Sequence, residues 1–415
     1  MQNKLQSETL SVKLNRILFI SIMVILLFQD ILGQRVPILY YADEIIALFC
    51  IPCICMEFIK REKGKNMGSI RSRLEMLVLL LAFLLYGLCG NIIYQYQPWD
   101  VVLISVVLSS KFFMIILTAG FIQRNAHLDL SECERTYEIL AIALFGYSLF
   151  SMLFPGHLVK PSQWDLCAKA AVLCGLLIFA NHKNALWNKM CVLLMLALLV
   201  LSGKEKAYAA IMLFALLFYL LVQKKVRAKL IYIFFMAIPV ILIAWNKIDY
   251  YYIQGHDRYA KSIMTETSLK IARDYFPFGT GFGTFASTYA AKHYSPVYFL
   301  YGLAENAELG VDSRLYLNDY FWQLVLGETG ILGAILYCGM ILLLFCQIQK
   351  LYHYDKKRYF LLIFLFIFVL MTTFSEAGFM DPLTMIYAFV IGVLLEEYDQ
   401  KRDKKLKYLD ESEQE

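Results

Sequence analysis

The basic side chains Arg258, Lys261, Lys270, Arg273, Lys292 and Arg314 all fall within residues 246–319, between two strongly apolar stretches. Clustered cations hold anions, and arginine matches phosphate oxygens with a planar fork of donors. Asp319 and Glu328 follow directly. The same stretch carries Tyr250, Tyr251, Tyr252, Tyr259, Tyr275, Tyr289, Tyr294, Tyr298 and Tyr301. Such rings stack on sugar faces or rest at a lipid interface, and the sequence leaves both roles open.

Between these residues runs Pro277-Phe278-Gly279-Thr280-Gly281-Phe282-Gly283-Thr284. It lacks the Lys-Ser/Thr ending of a nucleotide-binding P-loop. Its alternating glycines would let backbone amides approach an anion at Gly281, or would serve a tight turn alone. No metal centre is expected. Cys50, Cys53 and Cys55 have no second cluster to complete a tetrahedral site, and no two of the six histidines stand at ligand spacing on one helix. His256 and His293 are open to either an acid-base or a plain surface role.

The elements that must position these groups are membrane spans. Of the 415 residues, 60% are hydrophobic, in runs of roughly 17–25 residues, the length a helix needs to cross a bilayer core. A β-barrel is excluded because its strands alternate polar and apolar positions. The expectation is an all-α integral membrane protein of about twelve transmembrane helices, near 17–33, 38–59, 74–93, 100–122, 136–153, 167–181, 189–202, 207–222, 230–245, 320–346, 359–374 and 381–396. One long extracytoplasmic loop separates spans nine and ten. The organisation is therefore a membrane bundle over 1–245, the loop at 246–319, a second bundle segment over 320–396 and a charged cytoplasmic tail at 397–415.

Basic residues stay preferentially in cytoplasmic loops. With both termini inside, the cytoplasmic segments hold 26 of the 39 Lys and Arg, which fixes the orientation. Gln29, Asp30 and the lack of a small-residue cleavage site predict that the first span is retained. The ten cysteines fall in or beside spans and read as packing residues. Asp30, Asp43, Glu44, Lys204, Glu205, Lys206, Asp319, Glu328, Glu376 and Asp381 all come to the outer side in this topology. An ionised group in hydrocarbon must be paired or wet. Lys111, near the middle of span four, is accordingly expected to pair with Asp43 or Glu44.

Phe276-Pro277-Phe278-Gly279-Thr280-Gly281-Phe282-Gly283-Thr284-Phe285 and Tyr294-Ser295-Pro296-Val297-Tyr298 resemble the outer loop of bacterial O-antigen and capsular (exo)polysaccharide polymerases, members of the O-antigen polymerase-ligase superfamily. Asp319-Tyr320-Phe321-Trp322 with Gly327-Glu328-Thr329-Gly330-Ile331-Leu332-Gly333 is similar to the segment by which that family begins its next span. Tyr41-Ala42-Asp43-Glu44 and Leu201-Ser202-Gly203-Lys204-Glu205-Lys206-Ala207 fit as well. Two departures stand out. The superfamily often has an arginine where this chain has Lys204, and a histidine near where it has Asp319.

The resemblance implies a membrane glycosyltransferase that joins polyprenyl-diphosphate-linked oligosaccharide repeat units on the outer face of the bacterial cytoplasmic membrane. Arg258 and Arg273, with Lys204 and Arg314, would contact the diphosphate. Tyr294 and Gly281 would line the substrate, and Asp319, with Glu328 second, would act as base. No cofactor, metal or nucleic acid is implied. The partners are membrane lipid, flippase and chain-length regulator proteins. The alternatives are a ligase of the same superfamily that uses another acceptor, a flippase or transporter of the same lipid-linked glycan, and a structural partner in glycan export.

Overall fold

A computed structural model describes residues 2–61, 68–126, 129–154, 161–180, 185–224, 259–314, 316–318 and 320–412. Among the described residues every regular element is helical. In chain order these are α1 (Gln2–Arg35), α2 (Ala42–Leu48), α3 (Cys50–Arg61), α4 (Gly68–Tyr94), α5 (Trp99–Ala126), α6 (Glu134–Leu153), α7 (Gln163–Phe179), α8 (Ala185–Leu201) and α9 (Glu205–Leu217). There follow α10 (Ala260–Asp274), the short α11 (Thr288–His293) and α12 (Pro296–Leu300), then α13 (Phe321–Lys350), α14 (Lys356–Thr372) and α15 (Met385–Ser412).

Among the described residues six stretches are long and apolar enough to cross a membrane: Arg16–Arg35, Pro37–Met56, Arg73–Tyr94, Trp99–Asn125, Glu134–Leu153 and Phe321–His353. A helix satisfies its backbone within one segment, which is what a hydrocarbon solvent demands. The helices α7, α8, α9, α14 and α15 coincide with five further expected spans, but α7, α8 and α14 are 17 residues long and α9 is 13. The ninth expected span, 230–245, lies outside the described residues.

The centre of the bundle is made by α5, α7, α14 and α15. From Trp164 to Leu177, α7 is buried on every side, as is α14 from Arg358 to Val369. A helix apolar all round belongs inside such a core. Small residues bring α5 and α15 to backbone contact: a Cβ on Gly392 would lie 2.4 Å from the Ile116 carbonyl oxygen.

At one end, α13 is broken at Gly330, where φ is +64°. The break frees the carbonyls of Gly327 and Glu328 from the helical ladder. They accept instead from the Thr280 amide at 3.0 Å and the Gly281 amide at 2.8 Å. The glycine-rich segment is thereby laid between α4 and α13, with α10 packed alongside on α13.

Candidate functional site

Three lysines are drawn into the same end of the bundle, each beside carboxylates. Lys111 of α5 is 1% exposed and pairs with Asp43 and, at 3.1 Å, with Glu44, both from the first turn of α2. Asp43 also accepts from the Gln29 amide of α1 at 2.6 Å. The expected pairing of Lys111 is therefore present. Two carboxyls around one buried ammonium compensate the desolvation that a lone charge would suffer.

Lys169 of α7 forms the second centre. It reaches Asp30 at 2.7 Å and Asp165, one turn earlier on its own helix, at 2.6 Å. Ser162 caps that helix by accepting from the Asp165 amide at 3.0 Å, which fixes the first turn and with it Trp164. The Trp164 indole is the hub of the third centre: its Nε1 donates to Asp381 at 2.7 Å, and Lys206 lies over its ring at 4.5 Å while pairing with Glu376. Asp381 in turn lies within electrostatic reach of Lys111 and Glu376. One network therefore joins α1, α2, α5, α7, α9 and the turn between α14 and α15.

The segment holding α10 to α12 sits at that end. Lys261 donates to the Phe374 carbonyl at 2.9 Å, and Gln323 to the Thr265 hydroxyl at 2.7 Å. Tyr289 of α11 lies within electrostatic reach of Tyr41 and Glu44. Around Asp274, hydrogen bonds from Arg273 and Tyr301 hold the carboxyl below its usual range. Burial pushes the Tyr298 hydroxyl well up, so it stays protonated where the Ala286 amide donates to it at 3.0 Å.

This geometry places several of the residues singled out in the sequence. The amides of Thr280, Gly281, Phe282 and Phe285 all donate to protein acceptors, namely the carbonyls of Gly327 and Glu328, Asn91 Oδ1 and the Glu328 carboxylate. Gly281 thus has no amide to offer an anion, and its positive φ of +93° serves close packing against Asn91. Glu328 is fully buried and receives the Phe285 amide on Oε1 at 3.3 Å, a contact that braces the segment. Tyr294 is buried, donates to the Leu309 carbonyl at 3.2 Å and packs on Tyr298 and Phe299. Arg314 spends its guanidinium on the carbonyls of Val311 and Lys292, both at 2.7 Å. These two hold the segment together.

Arg273 is 78% exposed, with Asp274 as its ion-pair partner at 3.0 Å. Lys204, half-buried just before α9, stands near Lys206 and Cys167 and has no carboxylate partner among the described residues. Arg258 and Asp319 lie outside the described residues. Sequence reading missed Lys169, Asp165 and Trp164. A lysine inside an otherwise apolar run was the available signal.

Chemically, the network offers carboxylate oxygens in excess of ammonium groups: Asp30, Asp43, Glu44, Asp165, Glu376 and Asp381 against Lys111, Lys169 and Lys206. That balance suits polyhydroxylated ligands, whose hydroxyls donate to carboxylates. A phosphate group needs cations from elsewhere, and Lys204 and Arg273 are the nearest in kind. Among the described residues no group of His, Cys, Asp and Glu could hold a metal ion.

Fold and site together define an all-helical bundle, with helices able to cross a membrane and a charge network gathered at one end. No protein-family model matches the chain, and no curated protein is significantly similar to it.

Proposed function

We propose that this chain is a multi-span polysaccharide polymerase of the bacterial cytoplasmic membrane, joining polyprenyl-diphosphate-linked oligosaccharides on the outer face. The observation that carries the reading is the buried lysine-carboxylate network at the end of the bundle where the aromatic segment 259–314 docks. A flippase or transporter would need ionisable groups spread through the membrane depth along a path. The Lys111, Lys169 and Lys206 centres form one connected network instead. The apolar helices, the basic residues assigned to inner loops and the resemblance of the outer segment to polymerases support the same conclusion.

In this reading the chain crosses the membrane twelve times with both termini in the cytoplasm. A sugar hydroxyl of one lipid-linked unit attacks the anomeric carbon of another, and lipid diphosphate leaves. Carboxylates of the network hold sugar hydroxyls. Arg258, Arg273 and Lys204 neutralise the diphosphate, whose charge grows as the bond breaks.

Reconstitution in liposomes tests the reading. With a lipid-linked repeat unit from the host and no nucleotide, a glycan ladder is expected, and Arg258→Ala should abolish it while the protein remains in the membrane. Labelled lipid crossing the bilayer without a ladder would favour a flippase. If neither occurs, a ligase lacking its acceptor is the next case to assay.

A further inference from the structure

We infer that Glu44 takes the proton from the attacking sugar hydroxyl, an assignment that rests on the polymerase reading and names the group within the site that does this work. The Lys111 centre is the only one of the three that holds two adjacent carboxyls from a single helical turn among the described residues. Their roles differ by geometry. Asp43 is fully buried and committed to Lys111 and to Gln29, whereas Glu44 touches Lys111 through one oxygen, Oε1, at 3.1 Å and leaves its second oxygen, Oε2, buried with no hydrogen-bond partner among the described residues.

The charge count of the centre suits proton transfer. Two carboxylates and one ammonium sum to a single negative charge, and a proton arriving on Glu44 makes the centre neutral without leaving a buried charge unpaired. The titratable groups within electrostatic reach of Glu44 are Asp43 on its own helix, Lys111 from α5 and Tyr289 from α11. Gln29 of α1 and Asp381 face its two partners. Tyr289 stands within electrostatic reach of Glu44 and of Tyr41, and aromatic rings beside a carboxylate are the residue types that stack on a sugar while its hydroxyls are bound.

In the step itself, the hydroxyl oxygen forms the new bond to the anomeric carbon. The anomeric carbon–oxygen bond to the diphosphate breaks, with its electron pair leaving on the lipid diphosphate, and the hydroxyl proton passes to Glu44. Lys111 then stabilises Asp43, the carboxylate that remains ionised.

Elongation rate and donor binding, measured from pH 5 to 9 in the liposome assay, test this for the intact protein, Glu44→Gln and Glu44→Asp. Glu44→Gln should bind lipid-linked donor as the intact protein does and elongate at least about a hundredfold more slowly at every pH. Glu44→Asp should keep the fall in rate toward acid pH with a reduced maximum. A Glu44→Gln protein within about threefold of the intact rate, with the same pH profile, overturns the assignment. If Glu44→Gln does not fold, Glu44→Asp decides, and an unchanged rate and profile refutes the role. A failure of the intact protein to form any ladder refutes the polymerase reading, and Glu44's role falls with it.

Discussion

Asn91 of α4 grips the backbone of Phe282 from both sides, its Nδ2 donating to the Phe282 carbonyl at 2.9 Å and its Oδ1 accepting from the Phe282 amide at 2.7 Å. One side chain thus replaces the two backbone partners a sheet neighbour would supply. All of these groups are buried. Removing the amide leaves two buried polar groups unsatisfied, each costing about 1–3 kcal/mol. Asn91→Ala should therefore lower stability by roughly 3 kcal/mol and release the glycine-rich segment, read as a lowered melting temperature in detergent and new protease sites near 276–287.

Gly330 and Gly279 pass each other with no space for a side chain on either: a Cβ on Gly330 would meet the Pro277 carbonyl oxygen at 2.5 Å, and one on Gly279 would meet the Gly330 amide nitrogen at 2.5 Å. Both residues also have positive φ. Gly330→Ala combines backbone strain of order 1–2 kcal/mol with that clash, so the variant should be clearly less stable. Gly339→Ala on the same helix, where the added methyl meets nothing within 4 Å, should leave the melting temperature unchanged or slightly raised.

The Lys111 pair predicts a non-additive result. Lys111→Met strands Asp43 and Glu44 without their cation, a loss of about 3–5 kcal/mol for a broken buried pair. Adding Asp43→Asn removes one of the stranded charges and should recover part of the loss. Thermal unfolding of the two single variants and the double variant measures the coupling. Strict additivity would contradict a direct Lys111–Asp43 interaction.

At the other end of the bundle, Arg358 bridges Asp129 at 3.2 Å, Asp355 at 2.9 Å and Glu397 at 2.5 Å. Burial pushes the Asp129 carboxyl up, but hydrogen bonds from Ser131 with the charges of Arg358 and Lys401 outweigh it and hold the group below the usual range. A depressed carboxyl contributes stability above its unfolded pKa of about 3.9, and that contribution is lost as pH falls through the lower folded value. Melting temperature should therefore drop below about pH 4 in the intact protein, and Asp129→Asn should show a shallower drop over the same range.

Much of this protein was legible without coordinates. Apolar runs of membrane-crossing length define helices because hydrocarbon leaves the backbone no other way to satisfy its hydrogen bonds, and among the described residues six of the twelve expected spans are helices long and apolar enough to cross a membrane. The demand that a buried charge be paired was enough to direct Lys111 toward Asp43 and Glu44. Tertiary structure alone decided which polar groups had already been used. The glycines at 279, 281 and 283 read equally as an anion cradle or as a turn, because sequence records the freedom of a backbone but not the acceptors its amides meet. Arg314, Tyr294 and Glu328 had the right types for a site and are occupied by carbonyls and amides brought from distant segments. Helical periodicity fixes contacts one turn apart, as between Lys169 and Asp165. The meeting of Trp164 with Asp381, or of Asn91 with Phe282, depends on how whole helices pack, and that is set by the sum of many small apolar contacts.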